Sequence, residues 1–150
     1  MAAISDIVVF DGAGTPVTHT LKAVSVTRSG DSVEAYWREA LASVPVEAQV
    51  WAAAKQTNLK NGVVKSEFSV GVPVMETVTN QNAAGYTAAP KVAYTDKMVF
   101  TAFSSRRSTV TSRRLARQIL VNVAGNISTS VAAATSGPLP DLVDNLFAPT

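Results

Sequence analysis

The tetrad Leu59-Lys60-Asn61-Gly62 constrains this chain more than any other feature, because it joins two stretches whose pairing it must set residue by residue. After it, Val64, Phe68, Val70, Val72 and Val74 take even positions while Lys65, Glu67 and Ser69 take odd ones. That period of two marks a strand with one buried face. Two hairpin loops compete for the turn. A two-residue Asn61-Gly62 loop would set Lys55 against Phe68 and Gln56 against Glu67, mixing polar and apolar residues on both faces. A three-residue loop, with Gly62 in the left-handed conformation, sets Ala54 against Phe68, Ala52 against Val70 and Val50 against Val72. It also pairs Lys55 with Glu67 and Thr57 with Lys65, giving one wholly apolar face and one polar face. A buried face is what fixes register, so the three-residue loop is expected. Lys55, Thr57, Lys65, Glu67 and Ser69 then form a flat polar surface backed by a hydrophobic one.

Upstream, Ile4 to Phe10 is a short β-branched run closed by Asp11-Gly12-Ala13-Gly14, and Val17 to Val26 alternates loosely after it. Together they read as an N-terminal hairpin. His19, the only histidine, has no carboxylate or second ligand at metal spacing near it and reads as an ordinary strand residue. Residues 31–42, DSVEAYWREALA, support two readings. Asp31 and Glu34 imitate a capping box and Val33, Trp37 and Leu41 recur at helical spacing, yet Val33, Ala35 and Trp37 also alternate with Glu34, Tyr36 and Arg38. Tyr36 and Trp37 read as core or subunit interface, with a stacking platform for bases as the other reading.

Beyond the central hairpin, Glu76 to Thr79 can extend the strand, and Asn80 to Pro90 form a polar loop longer than a hairpin needs. Lys91 to Phe103 resumes as a strand, with Thr95, Lys97 and Thr101 alternating against Met98, Phe100 and Ala102. Asp96 breaks that pattern. Then the period changes. Ser108 or Thr111 can cap a helix in which Leu115, Ile119 and Val123, with Ala116, Leu120 and Ala124, make an apolar stripe ended by Gly125. Five of the seven arginines, Arg106, Arg107, Arg113, Arg114 and Arg117, crowd this region. The last three stand off the stripe and read as a solvated face, with a nucleic-acid site as the alternative. Residues 127–137 read as linker or helix continuation. Pro140 to Phe147 reads as a short amphipathic helix with Leu142, Val143, Leu146 and Phe147 on one side, and with Asp141 and Asp144 as solvent-facing capping and surface residues. A helix this short must dock, on its own sheet or on another subunit.

Strands first and helices last describe an α+β layer, an antiparallel β-sheet with an N-terminal β-hairpin and two C-terminal helices. At 150 residues, 47% of them hydrophobic, the chain is expected to form one domain over 1–150 with its own core. Its parts are a hairpin region at 1–30, a main sheet at 31–104 and helices at 105–150. Two terminal helices cover a wide sheet poorly, so a second subunit's helices are expected to finish the core. The face with Lys55, Lys65 and Lys97 would stay open to a ligand. The absence of cysteine excludes disulfides, thiolate metal sites and thiol nucleophiles. The start lacks a positive n-region and a long apolar run, so neither signal peptide nor membrane anchor is expected. A net charge of +2 alone says little for a polyanionic partner. One histidine, no phosphate-binding glycine loop and no convincing carboxylate pair leave no catalytic constellation. No enzyme activity, metal, cofactor or small-molecule substrate is expected.

The succession IVVFDGAGTPV, SVGVPVM, AYTDKMVFTAFS, RRLARQILVNVAG and PLPDLVDNLFAPT resembles the coat protein of single-stranded RNA bacteriophages, the levivirus-like phages. Its best local matches are Val72-Pro73, the run from Ala93 to Asp96 and the C-terminal segment. The resemblance implies an interlocked homodimer with two sheets joined edge to edge and helices crossing on the outer side. It further implies an icosahedral shell, a virion location and assembly in the host bacterial cytoplasm. The loop carrying Asn80, Gln81, Asn82, Gly85, Tyr86 and Pro90 would lie where dimers meet. The inner sheet face would bind single-stranded genomic RNA, including a hairpin operator whose capture represses replicase translation. Carried over by position, that face is Lys55, Thr57, Lys60, Lys65, Glu67 and Ser69, with Thr95 and Lys97 or, following the AYTD match, Tyr94 and Asp96. Ala53 and Glu67 stand where the family's adenine pockets use small hydroxyl and lysine side chains, and Glu67 repels phosphate unless Lys55 neutralises it. The resemblance also makes residues 31–42 a strand and puts the arginine-rich helix outside. The competing functional reading is a small non-assembling nucleic-acid-binding module that uses that helix.

Overall fold

The computed structural model describes residues 4–78, 85, 89 and 91–150. Its strands are β1 (Ile7–Phe10), β2 (Thr18–Ser29), β3 (Ser32–Glu39), β4 (Trp51–Asn58), β5 (Val63–Met75) and β6 (Val92–Ser105). They form one antiparallel sheet in chain order, and the helices α1 (Val110–Ala124) and α2 (Pro138–Val143) follow it. This is the α+β arrangement expected from the sequence.

The β4–β5 hairpin closes through the three-residue loop. Leu59 donates to the Val63 carbonyl at 2.8 Å, Gly62 has φ of 77°, and Ala54 faces Phe68 while Lys55 faces Glu67 and Thr57 faces Lys65. The ladder ends at Trp51 opposite Gly71, so Val50 and Val72 are not a ladder pair, and the Val50 carbonyl accepts from Glu39 instead. Nor is the buried face wholly apolar, because Gln56 and Ser66 face each other on it. Both donate to the Leu142 carbonyl, at 3.4 and 3.1 Å, and so satisfy an acceptor that the C-terminal turn of α2 leaves unpaired. Within residues 31–42, Ser32–Glu39 form the strand β3. The alternating pattern prevails over the helical one because Ala35 and Trp37 then pair with Ala54 and Ala52 on the buried face.

The core lies between this face and α2. It consists of Leu21, Ala35, Trp37, Ala52, Ala54, Leu142 and Val143, with alanines directly under the helix where larger side chains would push it away. Three expectations about element ends are corrected, and one left open is decided. β5 stops at Met75, and Glu76, Thr77 and Val78 lie outside it. The cap of α1 is Thr109, whose hydroxyl accepts from Ser112, since Ser108 spends its hydroxyl on the Ser105 carbonyl and Thr111 is already helical. Of the two readings of residues 127–137, the linker holds. α2 starts two residues early and ends at Val143, because Leu146 takes a left-handed φ of 54° that no helix continues through.

The largest correction concerns charge. Asp144 has no solvent exposure, and Arg117, itself buried, grips its carboxylate through two hydrogen bonds of 2.9 Å. Arg114 adds a contact of 3.4 Å, while Arg113 donates to the Asp144 carbonyl at 2.7 Å. Arg117 also donates to the Ala134 carbonyl at 2.7 Å, which fastens the linker. The expected solvated arginine face and surface aspartate are therefore one buried clasp that ties α1 to α2. With Arg117 turned inward, the stripe of Leu115, Ile119, Leu120 and Val123 is exposed.

Removing one partner of a buried ion pair strands the other in a medium that solvates it poorly. Asp144→Ala should therefore cost about 3–5 kcal/mol. Arg114→Ala, at a half-exposed position, should cost at most about 1 kcal/mol. Urea unfolding of the two variants measures the contrast, and equal losses would contradict the clasp.

Candidate nucleic-acid interface

The sheet face away from α2 is built by register. β3 contributes Glu34, Tyr36 and Arg38; β4 contributes Trp51, Ala53, Lys55 and Thr57; β5 contributes Lys65, Glu67, Ser69 and Gly71; β6 contributes Thr95, Lys97, Val99 and Thr101. Lys55, Thr57, Lys65, Glu67, Ser69, Thr95 and Lys97 thus share the surface expected of them. Lys60 is exposed in the hairpin loop at its end. Tyr94 and Asp96 do not join it, because they pair with Val74 and Val72 and belong to the opposite face. That placement also accounts for the irregularity at Asp96, which sits in exposed sequence beyond the helix-covered core. Of the expected inter-dimer loop, Asn80, Gln81, Asn82, Tyr86 and Pro90 lie outside the described residues. Gly85 is exposed with φ of 75°.

Ion pairs cancel most of the charge on this face. Lys65 meets Glu67 at 2.9 Å along β5, and Lys55 reaches Glu34 at 3.7 Å on β3. Glu67 is thus neutralised by Lys65 and not, as expected, by Lys55, which is its register partner. Lys22 bonds Asp6 at 2.7 Å, and this contact, helped by the Ala23 amide, holds the Asp6 carboxyl below the ordinary carboxylate range. Among the described residues, Lys97 and Arg38 have no carboxylate partner. Both stand beside Trp51. Arg38 is its register partner on β3, and the Lys97 ammonium lies 5.5 Å from its ring centroid. Tyr36 stacks on Trp51 with centroids 6.1 Å apart. Next to this group a hollow of about 240 Å³ is lined by Glu34, Ala53, Lys55, Glu67, Ser69, Lys97 and Val99.

Sequence reasoning missed Trp51 and Arg38 as members of this surface, and gave Tyr36 a stacking role only as its second reading, paired with the buried Trp37. Trp51 was within reach, since it shares odd parity with Ala53, Lys55 and Thr57 on the strand whose register the turn sets. Placing Tyr36 beside it needs the β3–β4 register, which no turn motif supplies.

At the far edge of the other face, His19 meets Glu39 at 2.7 Å and Asp11 at 3.8 Å. Glu39 comes from β3 and Asp11 from the connection between β1 and β2, so only the fold brings them to this histidine. The Asp11 carboxylate accepts from the Val17 amide at 2.8 Å and from Ala13, and the Val17 bond above all holds its carboxyl below the usual range. No group of three or more such side chains that could hold a metal ion occurs among the described residues.

A family model for levivirus coat proteins matches residues 2–147. The chain belongs to the levivirus coat protein family. Members of the family are structural capsid proteins, so this coat protein is not an enzyme. Among solved structures, the virus-like particle of bacteriophage EMS014 is 29% identical, with a TM-score of 0.73 over 88% of this chain and 83% of that one. The virus-like particle of bacteriophage ESE058 shares the fold at 18% identity and a TM-score of 0.71, covering 85% of this chain and 91% of its own. That of bacteriophage NT-214 shares it at 20% identity and a TM-score of 0.65, with 98% of each chain covered. Comparison with curated proteins returned no match.

The lowered carboxyl of Asp11 implies a pH dependence of fixed sign. A group whose folded pKa is depressed contributes stability above its unfolded value and loses it as pH falls through the folded one. Protection of the Val17 amide against hydrogen exchange should therefore fall on acidification below the carboxylate range. Asp11→Ala should lower it already at neutral pH, and unchanged protection in that variant would contradict the bond.

Proposed function

We propose that this coat protein dimerises, closes into an icosahedral shell and packages single-stranded RNA on the sheet face that carries Lys55, Thr57, Lys65, Ser69, Thr95 and Lys97, with Lys60 at its margin. The observation that carries the proposal is the unfinished helix side. α1 turns Leu115, Ile119, Leu120 and Val123 to solvent, and beside α2 an apolar trough of about 720 Å³ stays open, walled by Ile7, Leu21, Phe68, Val70 and Leu139. A second copy's α1 has the chemistry to fill it. An exposed apolar surface of this kind marks an interaction site.

β6 supports the same reading. It is 14 residues long, ends the sheet and exposes Met98 and Val99, and an edge of that length invites pairing with another strand. Pairing of two β6 strands would join two sheets edge to edge, leaving the lysine faces on one side and the helices on the other. The connection between β5 and β6 is then the part that meets neighbouring dimers. Such particles form in the host bacterial cytoplasm and the protein ends in the virion. Capture of an operator hairpin would be a sequence-specific use of the same face. The module built on the arginine helix is disfavoured, because Arg113 and Arg117 are already committed to Asp144, its carboxylate and its carbonyl.

Expression of the full chain in bacteria, followed by negative-stain microscopy and the ratio of absorbance at 260 and 280 nm, tests this. Uniform particles containing nucleic acid are expected. Combining Lys55→Gln, Lys65→Gln and Lys97→Gln should lower nucleic acid per particle and flatten the salt dependence of RNA affinity by about 2 in log–log slope, at about 0.7 per lost contact. A soluble monomer would refute assembly, and variant particles with undiminished RNA would refute the lysine face.

A further inference from the structure

We propose that Trp51, stacked on Tyr36, is a platform for an unpaired base of single-stranded RNA, with Lys97 and Arg38 positioned for the phosphates on either side. This rests on the RNA-packaging reading and adds a site to it. Its basis is the contrast between the two tryptophans. Trp37 is buried and spends its indole N–H on the Ser5 carbonyl at 2.8 Å, as a core residue should. Trp51 is a large aromatic left half-buried on the polar face of the same sheet, outside the core under α2.

The surroundings hold its ring flat. A Cβ on Gly71, its register partner, would lie 2.3 Å from the indole Cε2, so the ring rests directly on the β5 backbone. Tyr36 lies beside it with an interplanar angle of 28°, which extends the π surface towards β3. Of the cations on the strands of this face, Lys97 lies over the ring and Arg38 is its register partner, neither has a carboxylate partner among the described residues, and the Arg38 Nε is buried with no hydrogen-bond partner. An aromatic surface flanked by uncommitted cations suits a nucleotide, whose base stacks while its phosphate meets the charge. A duplex keeps its bases stacked inside and offers none to the ring. Ala53 and Gly71, next to the ring, bring no side-chain hydrogen-bonding groups, so the platform holds bases without reading their identity.

The test titrates the purified full chain with a short oligouridylate and with an abasic ribose–phosphate oligomer of the same length and charge. Tryptophan fluorescence is compared between the wild type and Trp51→Leu, so that the difference reports Trp51. Oligouridylate should quench that difference signal and the abasic oligomer should not. Trp51→Leu should weaken oligouridylate binding about tenfold, the size of one lost stack. Its affinity for the abasic oligomer should stay unchanged, and Trp51→Phe should recover most of the loss. If Trp51→Leu folds poorly, Gly71→Ala keeps the indole but displaces it and should give the same selective loss. Full oligouridylate affinity in these variants would overturn the platform while leaving the lysine face in place. Failure of the wild type to bind either oligomer would overturn the platform and RNA binding together.

Discussion

A carboxylate without access to water can remain in a core only if cations come to it, and Asp144 imposes that condition on the C-terminal third of this coat protein. It draws Arg117 and Arg114 to its oxygens and Arg113 to its carbonyl. The face of α1 that turns inward is therefore the arginine face, and the aliphatic face must turn out. Leaving a large aliphatic side chain in water forgoes about 1.5–3 kcal/mol. Several such residues along α1 make the isolated chain an incomplete structure, with a free-energy gain available from any partner that covers them. A second copy brings both a matching helix and a matching trough.

The sheet separates the two tasks by alternation alone. Every residue facing α2 has a neighbour facing the lysine surface, so one strand can carry the proposed assembly on one side and the proposed RNA binding on the other. On β4, Ala52 and Ala54 admit α2 while Trp51, Lys55 and Thr57 face away. On the ligand face, pairing of Lys55 with Glu34 and of Lys65 with Glu67 leaves little diffuse positive potential. What remains is concentrated around Trp51. On the proposed reading, binding focused on one aromatic site would let a chain with a net charge of only +2 serve a polyanion.

The central hairpin was legible in the sequence because two local signals agree, a glycine that can take positive φ and an alternation that fits only one loop length. The strand β3 was not, since Val33, Ala35 and Trp37 satisfy both periods and only their pairing with β4 decides. The arginine cluster was misread for a different reason. Helical spacing tells which side chains share a face, but it carries no information about an acid 27 residues away. The clue was Asp144 inside the apolar run Leu142 to Phe147, where a charged residue needs either solvent or a partner. The lysine surface was recovered in large part, yet the register moved Tyr94 and Asp96 off it and added Trp51 at the end of β4.

Whether the exposed stripe of α1 is completed by a second copy is decided most directly by urea unfolding of the full chain across a hundredfold range of protein concentration. Folding coupled to dimerisation makes the midpoint rise with concentration, because mass action favours the associated native state. A rising midpoint is the predicted result. A midpoint independent of concentration, with a folded monomer in sedimentation velocity under the same conditions, would contradict it.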